Sequence, residues 1–329
     1  MRRKPFKKRE IFTENPRYPG LLNQSIQVEN TTVSLWSLGE IDPKKLTILC
    51  ISGWPFSGYT LWPMGQELNK QVQFIAVDVP NFIGFSHGEE FVVNWENVGR
   101  IFSKLPEKLS LQNYGLFGIS AGGAFALSTY FKLTERYKKQ SLLSRILLGK
   151  KEYLPQFMVL TAPALHGQNI SYIRDPATTQ LVLEQAKKRE NLVDFAYKTI
   201  NTSFGRSILK EIVFRTNTEF LEAGELLDIM QQELNHQLEF LDQKALLSSA
   251  EDLLGNDRRD LLSMIAIPTL FITGDSDKIV SVEDTKEFAA KTPDSDLAII
   301  KKAPHFLVVT HYEQVAEEIM DFLNKKFLI

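Results

Sequence analysis

Cysteine and histidine are scarce in this sequence, and long apolar runs are absent. The single cysteine, Cys50, cannot form an internal disulfide and lies in an apolar run, so we expect a buried strand residue in a reducing compartment. There is no C-x-x-C or H-E-x-x-H pattern, and the five histidines have no metal-ligand spacing. We therefore expect no metal site. No segment approaches the roughly 18 uninterrupted apolar residues of a membrane span.

Residues 1–23 form a basic N-terminal arm, in which six of residues 2–9 are Arg or Lys. The arm lacks the apolar stretch of a secretory signal, so we predict a cytoplasmic protein. A solvated tail is the ordinary interpretation of such an arm, and contact with an anionic membrane surface or a partner is the alternative. No nucleic-acid partner is expected, and no particular oligomeric state is indicated.

The rest of the composition is typical of a globular protein, with 43% hydrophobic and 24% charged residues in 329. Segments of strand type alternate with segments of helix type along most of this length. The predicted strands are 24–30 and 32–38, joined by a turn at 29–31, then 46–51, 74–80, 114–117, 157–161, 268–273 and 297–300. The predicted helices are 61–68, 95–105, 124–137, 282–291 and a final one ending at residue 327. This alternation indicates an α/β protein with a mostly parallel central sheet and helices on both faces.

The alternation stops between residues 164 and 262, where only helical periodicity is found. The predicted helices there are 178–189, 192–199 and a long acidic one over 218–247. We interpret this stretch as a helical insertion into a core made of residues 24–163 and 263–329. Because ligands bind beyond the carboxyl ends of the strands in such a sheet, the loops at that edge are the place to look for chemistry.

The stretch Gly118-Ile119-Ser120-Ala121-Gly122 has the G-x-S-x-G pattern and lies where a predicted strand gives way to a helix. A serine at such a sharp turn has a strained backbone and an exposed hydroxyl group. The N–H of Ala121 then faces whatever the hydroxyl attacks, at the positive end of a helix macrodipole. The pattern alone is weak evidence, because short Gly/Ser patterns occur by chance.

A serine nucleophile needs a base and an acid, and two late loops provide candidates. His305 lies in the loop directly after one predicted strand, and Asp277 lies in the loop directly after the preceding one, so both are expected at the sheet edge that carries Ser120. His311, expected inside the last helix, is the alternative base. Asp275 is the alternative acid, although it can also cap its loop through backbone N–H groups. The remaining histidines are expected at the surface or at caps: His87, His166 and His236.

The glycine-rich loop after the 46–51 strand is the natural source of a second oxyanion donor. We choose the N–H of Trp54, because Pro55 has none. Donors at Trp54 and Ala121 would stabilise a tetrahedral oxyanion, and losing one such donor costs about 3 kcal/mol of barrier.

Taken together, these motifs resemble the α/β-hydrolase superfamily from about residue 25 to the C-terminus. Four of them occur in the family's order: Ser52-Gly53-Trp54-Pro55, the G-x-S-x-G stretch, Gly274-Asp275-Ser276-Asp277, and His305 before the last helix. The resemblance implies the α/β-hydrolase fold, with residues 164–262 as a helical cap over the active site.

Three segments depart from the family pattern. The oxyanion loop opens with Ser52-Gly53 where the family usually has His-Gly, so its anchoring hydrogen bonds must differ. Residues 78–86 resemble the D-x-P-G-x-G-x-S segment but have one residue more, and Asn81 replaces its first glycine. Residues 138–156 form a longer link than usual, with the basic, Leu-rich content of an extra amphipathic helix that packs on the body or meets a membrane or partner.

The first hypothesis is a cofactor-free serine hydrolase that acts on a small-molecule acyl substrate, a carboxylic ester or a thioester. The catalytic residues would be Ser120, His305 and Asp277. Aromatic residues near the expected mouth suggest an apolar acyl group: Trp54, Phe56, Phe82 and Phe306. Alternatives within the fold are a carbon–carbon bond hydrolase, or an aminopeptidase that uses cap carboxylates such as Glu219, Glu222 and Glu225. A non-catalytic ligand-binding protein of the same fold is the alternative from another class.

Overall fold

A computed structural model describes residues 20–53, 56–82, 85–139, 153–167, 181, 184–188, 198–199, 201–203 and 240–327. The strands in these residues are β1 Leu21–Val28, β2 Thr31–Leu38, β3 Thr47–Ile51, β4 Gln73–Val77, β5 His87–Gly88, β6 Tyr114–Ile119, β7 Met158–Thr161, β8 Thr269–Gly274 and β9 Ser295–Ile300. The α-helices are α1 Trp62–Leu68, α2 Trp95–Phe102, α3 Leu105–Lys108, α4 Ala121–Lys139, α5 Gln243–Gly255, α6 Val282–Lys291, α7 Leu307–Thr310 and α8 Tyr312–Phe327.

The strands form one sheet in the order β1-β2-β4-β3-β6-β7-β8-β9, with β5 paired to β2. From β4 to β9 along this order every pairing is parallel, and β1 and β2 add an antiparallel edge. The central strands β3, β4 and β6 are buried along their whole length, which requires cover on both faces. On these faces α1 packs against α8, and α2 packs against α4. The predicted α/β class with a mostly parallel sheet is confirmed.

Several predicted boundaries are wrong in detail. β1 begins at Leu21 and not at residue 24, and the hairpin turn is shorter than predicted because Thr31 already pairs with Val28. The predicted helix at 95–105 is two helices, α2 and α3, since Pro106 begins a new turn that a continuous helix could not accommodate.

The predicted long helix over 218–247 is also wrong at its end. Residues 240–242 are not helical, and Asp242 instead caps a new helix, α5, by accepting the N–H groups of Lys244 and Ala245. Several predictions lie outside the described residues, namely the arm up to residue 19, segment 140–152 and most of 164–239.

The two ends of the predicted insertion meet in a short neck, which we define as residues 164–167 and 252–258. His166 and Asp257 form an antiparallel bridge, and the N–H of Arg258 donates to the carbonyl of Leu165 at 3.0 Å. Arg258 is 4% exposed and donates to the carboxylate of Asp252 at 2.7 Å. Asp252 also accepts the N–H of Trp95, the first residue of α2, at 2.9 Å. These contacts fasten the described ends of the insertion to the core.

In the part of the chain that the structure describes, no helix combines the length and the apolar character needed to cross a membrane.

Candidate active site

Ser120 lies at the turn between β6 and α4 with a positive φ of 52°, a region that a residue with a side chain occupies only under constraint. The constraint consists of three backbone hydrogen bonds. The N–H of Ser120 donates to Thr161 at 2.9 Å, and its carbonyl accepts the N–H groups of Gly123 and Ala164 at 2.9 and 3.0 Å. The strained turn that the G-x-S-x-G pattern predicted is therefore present, and it leaves the side chain of Ser120 partly exposed.

The two glycines of the motif are required by close approach of backbone to backbone. A Cβ atom on Gly118 would lie 2.4 Å from the carbonyl oxygen of Gly122. A Cβ atom on Gly122 would lie 2.3 Å from the carbonyl oxygen of Ile51, at the end of β3. The small residues thus let α4 start directly against the neighbouring strand and the loop that follows it.

The structure brings Ser120, His305 and Asp277 together. The Oγ atom of Ser120 lies 3.0 Å from Nε2 of His305, and Nδ1 of His305 lies 2.8 Å from Oδ2 of Asp277. His305 and Asp277 are only 4% and 7% exposed. Both follow parallel strands, β9 and β8, whose carboxyl ends meet at the edge of the sheet where β6 delivers Ser120. The juxtaposition was expected from these strand ends.

The two neighbouring aspartates have different hydrogen bonds. Oδ1 of Asp277 accepts the N–H groups of Ile279 and Val280 at 2.8 and 3.0 Å, which leaves Oδ2 for the imidazole. Asp275 is exposed, and its Oδ1 accepts the N–H of Lys302 at 2.6 Å. Asp275 therefore ties its own loop to the loop that carries His305, the capping role suggested as its alternative.

The other described histidines do not approach Ser120 in this way. The sequence predicted His311 inside the last helix, but it lies between α7 and α8. Its Nδ1 lies 2.9 Å from the hydroxyl of Thr310. Burial lowers the pKa of His311. His87 is half-buried in β5, and His236 lies outside the described residues.

The expectation that His166 is a surface or cap residue is wrong. It lies in the neck and is 5% exposed, with its ring edge-on to Phe288 and its Nε2 4.0 Å from the carboxylate of Asp284. Neither ring nitrogen has a hydrogen-bond partner among the described residues. Burial, and secondarily the positive charge of Arg259, lowers the pKa of His166, against the opposing effect of nearby carboxylates: Asp284, Asp257 and Glu287. Nothing in the sequence around residue 166 predicted that this histidine is buried.

The two predicted oxyanion donors differ in what the structure describes. Ala121 is the first residue of α4, so its N–H has no acceptor within the helix and lies at the positive end of the helix dipole. Trp54 lies outside the described residues. Its neighbour Gly53 is placed beside the nucleophile, since a Cβ atom on Gly53 would lie 3.6 Å from Cβ of Ser120. The loop chosen from the sequence therefore adjoins Ser120.

The loop after β3, which the sequence predicted to supply an oxyanion donor, is anchored with Ser52 at the position where a histidine was expected from the resemblance. The hydroxyl of Ser52 donates to the carbonyl of Phe56 at 2.7 Å, and the N–H of Phe56 donates to the carbonyl of Gly53 at 2.8 Å. Further along, the fully buried carboxylate of Asp78 accepts the hydroxyl of Ser57 at 2.8 Å. The described ends of this loop are therefore held by its own serine hydroxyls and backbone and by a buried carboxylate.

Asn81 keeps the shape of the loop in which it replaces a glycine. Its φ is 66°, a left-handed conformation that Asn tolerates better than most residues. Its side chain accepts the N–H of Gly88 at 3.0 Å and donates to the carbonyl of Gly88 at 2.9 Å. The side-chain amide thus fixes the longer loop to β5.

Two of the predicted mouth aromatics form a pair beside the imidazole. The rings of Phe56 and Phe306 meet edge to face, with centroids 5.1 Å apart, and the ring of Phe306 lies edge-on to His305 at 5.5 Å. Both phenylalanines are half-buried. Phe82, in contrast, is 1% exposed in the hydrophobic core, so its assignment to the mouth is wrong.

Chemically, the arrangement joins a hydroxyl, an imidazole and a carboxylate in one hydrogen-bonded chain next to a helix N-terminus. Such a chain can move a proton from the hydroxyl to the imidazole while the carboxylate stabilises the positive charge. Among the described residues, no three His, Cys, Asp or Glu side chains are grouped so that they could hold a metal ion.

Comparison with known proteins finds relatives over almost the whole chain. An uncharacterized hydrolase, YugF, of Bacillus subtilis is 21% identical over 283 residues, which cover 86% of this chain and 92% of that protein. Among solved structures, an esterase from Exiguobacterium antarcticum has a TM-score of 0.68 at 16% identity, covering 92% of this chain and all of the other. An enol-lactonase from Burkholderia xenovorans has a TM-score of 0.68 at 14% identity, and the match again covers 92% of this chain and all of the other. No family model matches the chain. At these identities the likeness is one of fold.

Proposed function

We propose that this chain, which has the α/β-hydrolase fold predicted from its motifs, is a serine hydrolase that cleaves a carboxylic ester or a thioester. One observation carries the proposal: the unbroken chain of 3.0 and 2.8 Å contacts from Ser120 through His305 to Asp277. The relatives and structural neighbours, which include a hydrolase, an esterase and an enol-lactonase, support the same class of reaction.

The first half of the reaction forms an acyl-enzyme. Ser120 Oγ attacks the carbonyl carbon while Nε2 of His305 takes the hydroxyl proton, and Asp277 holds the Nδ1–H tautomer and stabilises the imidazolium. The carbonyl oxygen becomes an oxyanion that accepts hydrogen bonds from the N–H of Ala121 and, in this proposal, of Trp54. His305 then returns its proton to the departing alkoxide or thiolate as the bond to the carbonyl carbon breaks.

The second half releases the acid. A water molecule gives its proton to Nε2 of His305 and attacks the acyl carbon, and the new oxyanion uses the same donors. Collapse of this intermediate breaks the bond to Ser120 Oγ, which recovers its proton from His305. The proposal includes residues 164–262 as the cap that encloses the acyl group, and no cofactor takes part.

The test is hydrolysis of p-nitrophenyl esters from acetate to palmitate by the wild-type chain and by Ser120→Ala. Ser263→Ala is the matched control, because Ser263 is an exposed serine whose hydroxyl donates to the carbonyl of Asp260 in its own helical turn. We expect Ser120→Ala to lose at least about 10³-fold in kcat and Ser263→Ala to lose nothing measurable. Labelling by a fluorophosphonate should follow the same order, since only an activated serine reacts readily.

The outcomes separate the alternatives. Labelling of Ser120 without ester hydrolysis would favour the carbon–carbon hydrolase or the aminopeptidase, which use the same nucleophile. A chain that neither hydrolyses esters nor reacts at Ser120 is a ligand-binding protein of this fold, and the proposal is then wrong.

A further inference from the structure

We propose that Phe56 and Phe306 form the binding wall for the leaving group, so that the preferred substrates are esters of apolar alcohols or thiols. This inference rests on the proposed function and specifies which part of the substrate the described residues recognise. It concerns the alcohol or thiol side of the ester and makes no use of the acyl group.

The position of the pair follows from the loops that carry it. Phe56 belongs to the oxyanion loop, where its backbone bonds to Ser52 and Gly53. Phe306 directly follows His305 and precedes α7. Their edge-to-face contact at 5.1 Å therefore joins the two loops that flank the serine hydroxyl.

The side of the substrate follows from proton transfer. The leaving oxygen must receive its proton from Nε2 of His305, so the leaving group has to lie on the imidazole side of Ser120 while the oxyanion faces Ala121. The ring of Phe306 lies against that imidazole, with centroids 5.5 Å apart and planes at 88°. The pair therefore places aromatic surface beside the imidazole that must protonate the departing group.

The chemistry of the pair selects an apolar group. Both rings are half-buried, so each keeps apolar surface that a substrate can cover, and apolar contact area is what drives such binding. Neither phenylalanine offers a hydrogen bond to a sugar-like or charged alcohol. We therefore expect butyl or benzyl leaving groups to be preferred to methyl.

The experiment varies the two sides of the ester separately. One series keeps the acetyl group and changes the alcohol from methyl to butyl to benzyl, and the other keeps the methyl group and lengthens the acyl chain from acetate to octanoate. Hydrolysis is followed by proton release for the wild type, Phe56→Ala and Phe306→Ala, with Phe56→Leu and Phe306→Leu as conservative versions. The matched control is Phe131→Ala. Phe131 is half-buried and pairs with Tyr130, about 16 Å along α4 from Ser120.

We expect Phe56→Ala and Phe306→Ala to lower the benzyl-to-methyl ratio of kcat/KM about tenfold, and the Leu versions less. The octanoate-to-acetate ratio should stay within about twofold, and Phe131→Ala should change neither ratio. An equal loss on every substrate indicates a structural role and overturns the inference, as does a change confined to the acyl series. If the wild type hydrolyses no ester and Ser120 does not react with a fluorophosphonate, the proposed function fails and this inference fails with it.

Discussion

The substitution Asp277→Asn is the sharpest perturbation of the proposed mechanism, because the hydrogen bonds fix how the new amide must sit. Oδ1 of Asp277 accepts two backbone N–H groups, from Ile279 and Val280, at 2.8 and 3.0 Å. Only the amide oxygen can take this place, so the NH₂ group must face Nδ1 of His305. It donates to Nδ1 and forces the proton onto Nε2, the atom that has to accept the proton of Ser120.

The wrong tautomer removes the general base but leaves the fold intact. We expect kcat to fall about 10⁴-fold, which corresponds to about 5.4 kcal/mol of barrier. KM should change little, and the urea midpoint should stay near that of the wild type because both backbone hydrogen bonds survive. Steady-state hydrolysis of p-nitrophenyl acetate measures the first two quantities, and tryptophan fluorescence in urea measures the third.

Asp275→Asn is the matched control, since it changes the same charge two residues away. Asp275 accepts the N–H of Lys302 at 2.6 Å, a bond that the amide oxygen of Asn can also accept. We expect activity within about threefold of the wild type. If Asp277→Asn kept more than about a tenth of the wild-type kcat, or if Asp275→Asn lost more than Asp277→Asn, the assigned roles would be refuted.

Three further predictions concern stability. A Cβ atom added by Gly122→Ala would lie 2.3 Å from the carbonyl oxygen of Ile51, so we expect about 3 kcal/mol less free energy of unfolding in urea, and an unchanged midpoint would contradict this packing. Burial lowers the pKa of His166, so the unfolded chain binds the proton first. The free energy of unfolding should then fall as the pH drops below about 6.5 and level off below the pKa of His166 in the folded protein. His166→Asn should reduce this dependence on pH, measured by urea titrations between about pH 5 and about pH 7.5. An equal dependence in both proteins would exclude His166 as the cause. Arg258→Met should cost about 3 kcal/mol by leaving the carboxylate of Asp252 without its guanidinium, and adding Asp252→Asn should recover part of the loss; no recovery would mean that the cost comes from packing alone.

The sequence predicted the parts of the site that depend on strand ends. Ser120 directly follows β6, and Asp277 and His305 lie in the loops after β8 and β9. Parallel strands bring such loops to one edge of the sheet. The order of the motifs along the chain was enough to predict that these three residues meet, because each loop contributes one residue. The choice of Asp277 over Asp275 depended on loop geometry, and the structure explains it through the backbone bonds at Oδ1.

Of the parts that could not be predicted, two depend on contacts between residues far apart in the chain, and one depends on a local helix cap. The burial of His166 is created by the neck, where it meets residue 257 and α6, and nothing in its local sequence indicates this. The helix boundary at residue 242 depends on an Asp cap within an acidic, helix-favouring stretch, where periodicity alone continues without a break. The anchoring of the oxyanion loop by Asp78 likewise joins residues about twenty positions apart.

The neck has a consequence for how this scaffold can change over evolution. Because His166 and Asp257 are bridged, the two ends of the intervening segment lie side by side where they join the core. The entropy of closing that segment grows only slowly with its length. A change in the length of that segment therefore costs little closing entropy, and the neck has its own backbone hydrogen bonds to hold its two ends together. We therefore expect insertions and deletions in this segment to be tolerated more readily than equal changes in the strands that precede Ser120, Asp277 and His305.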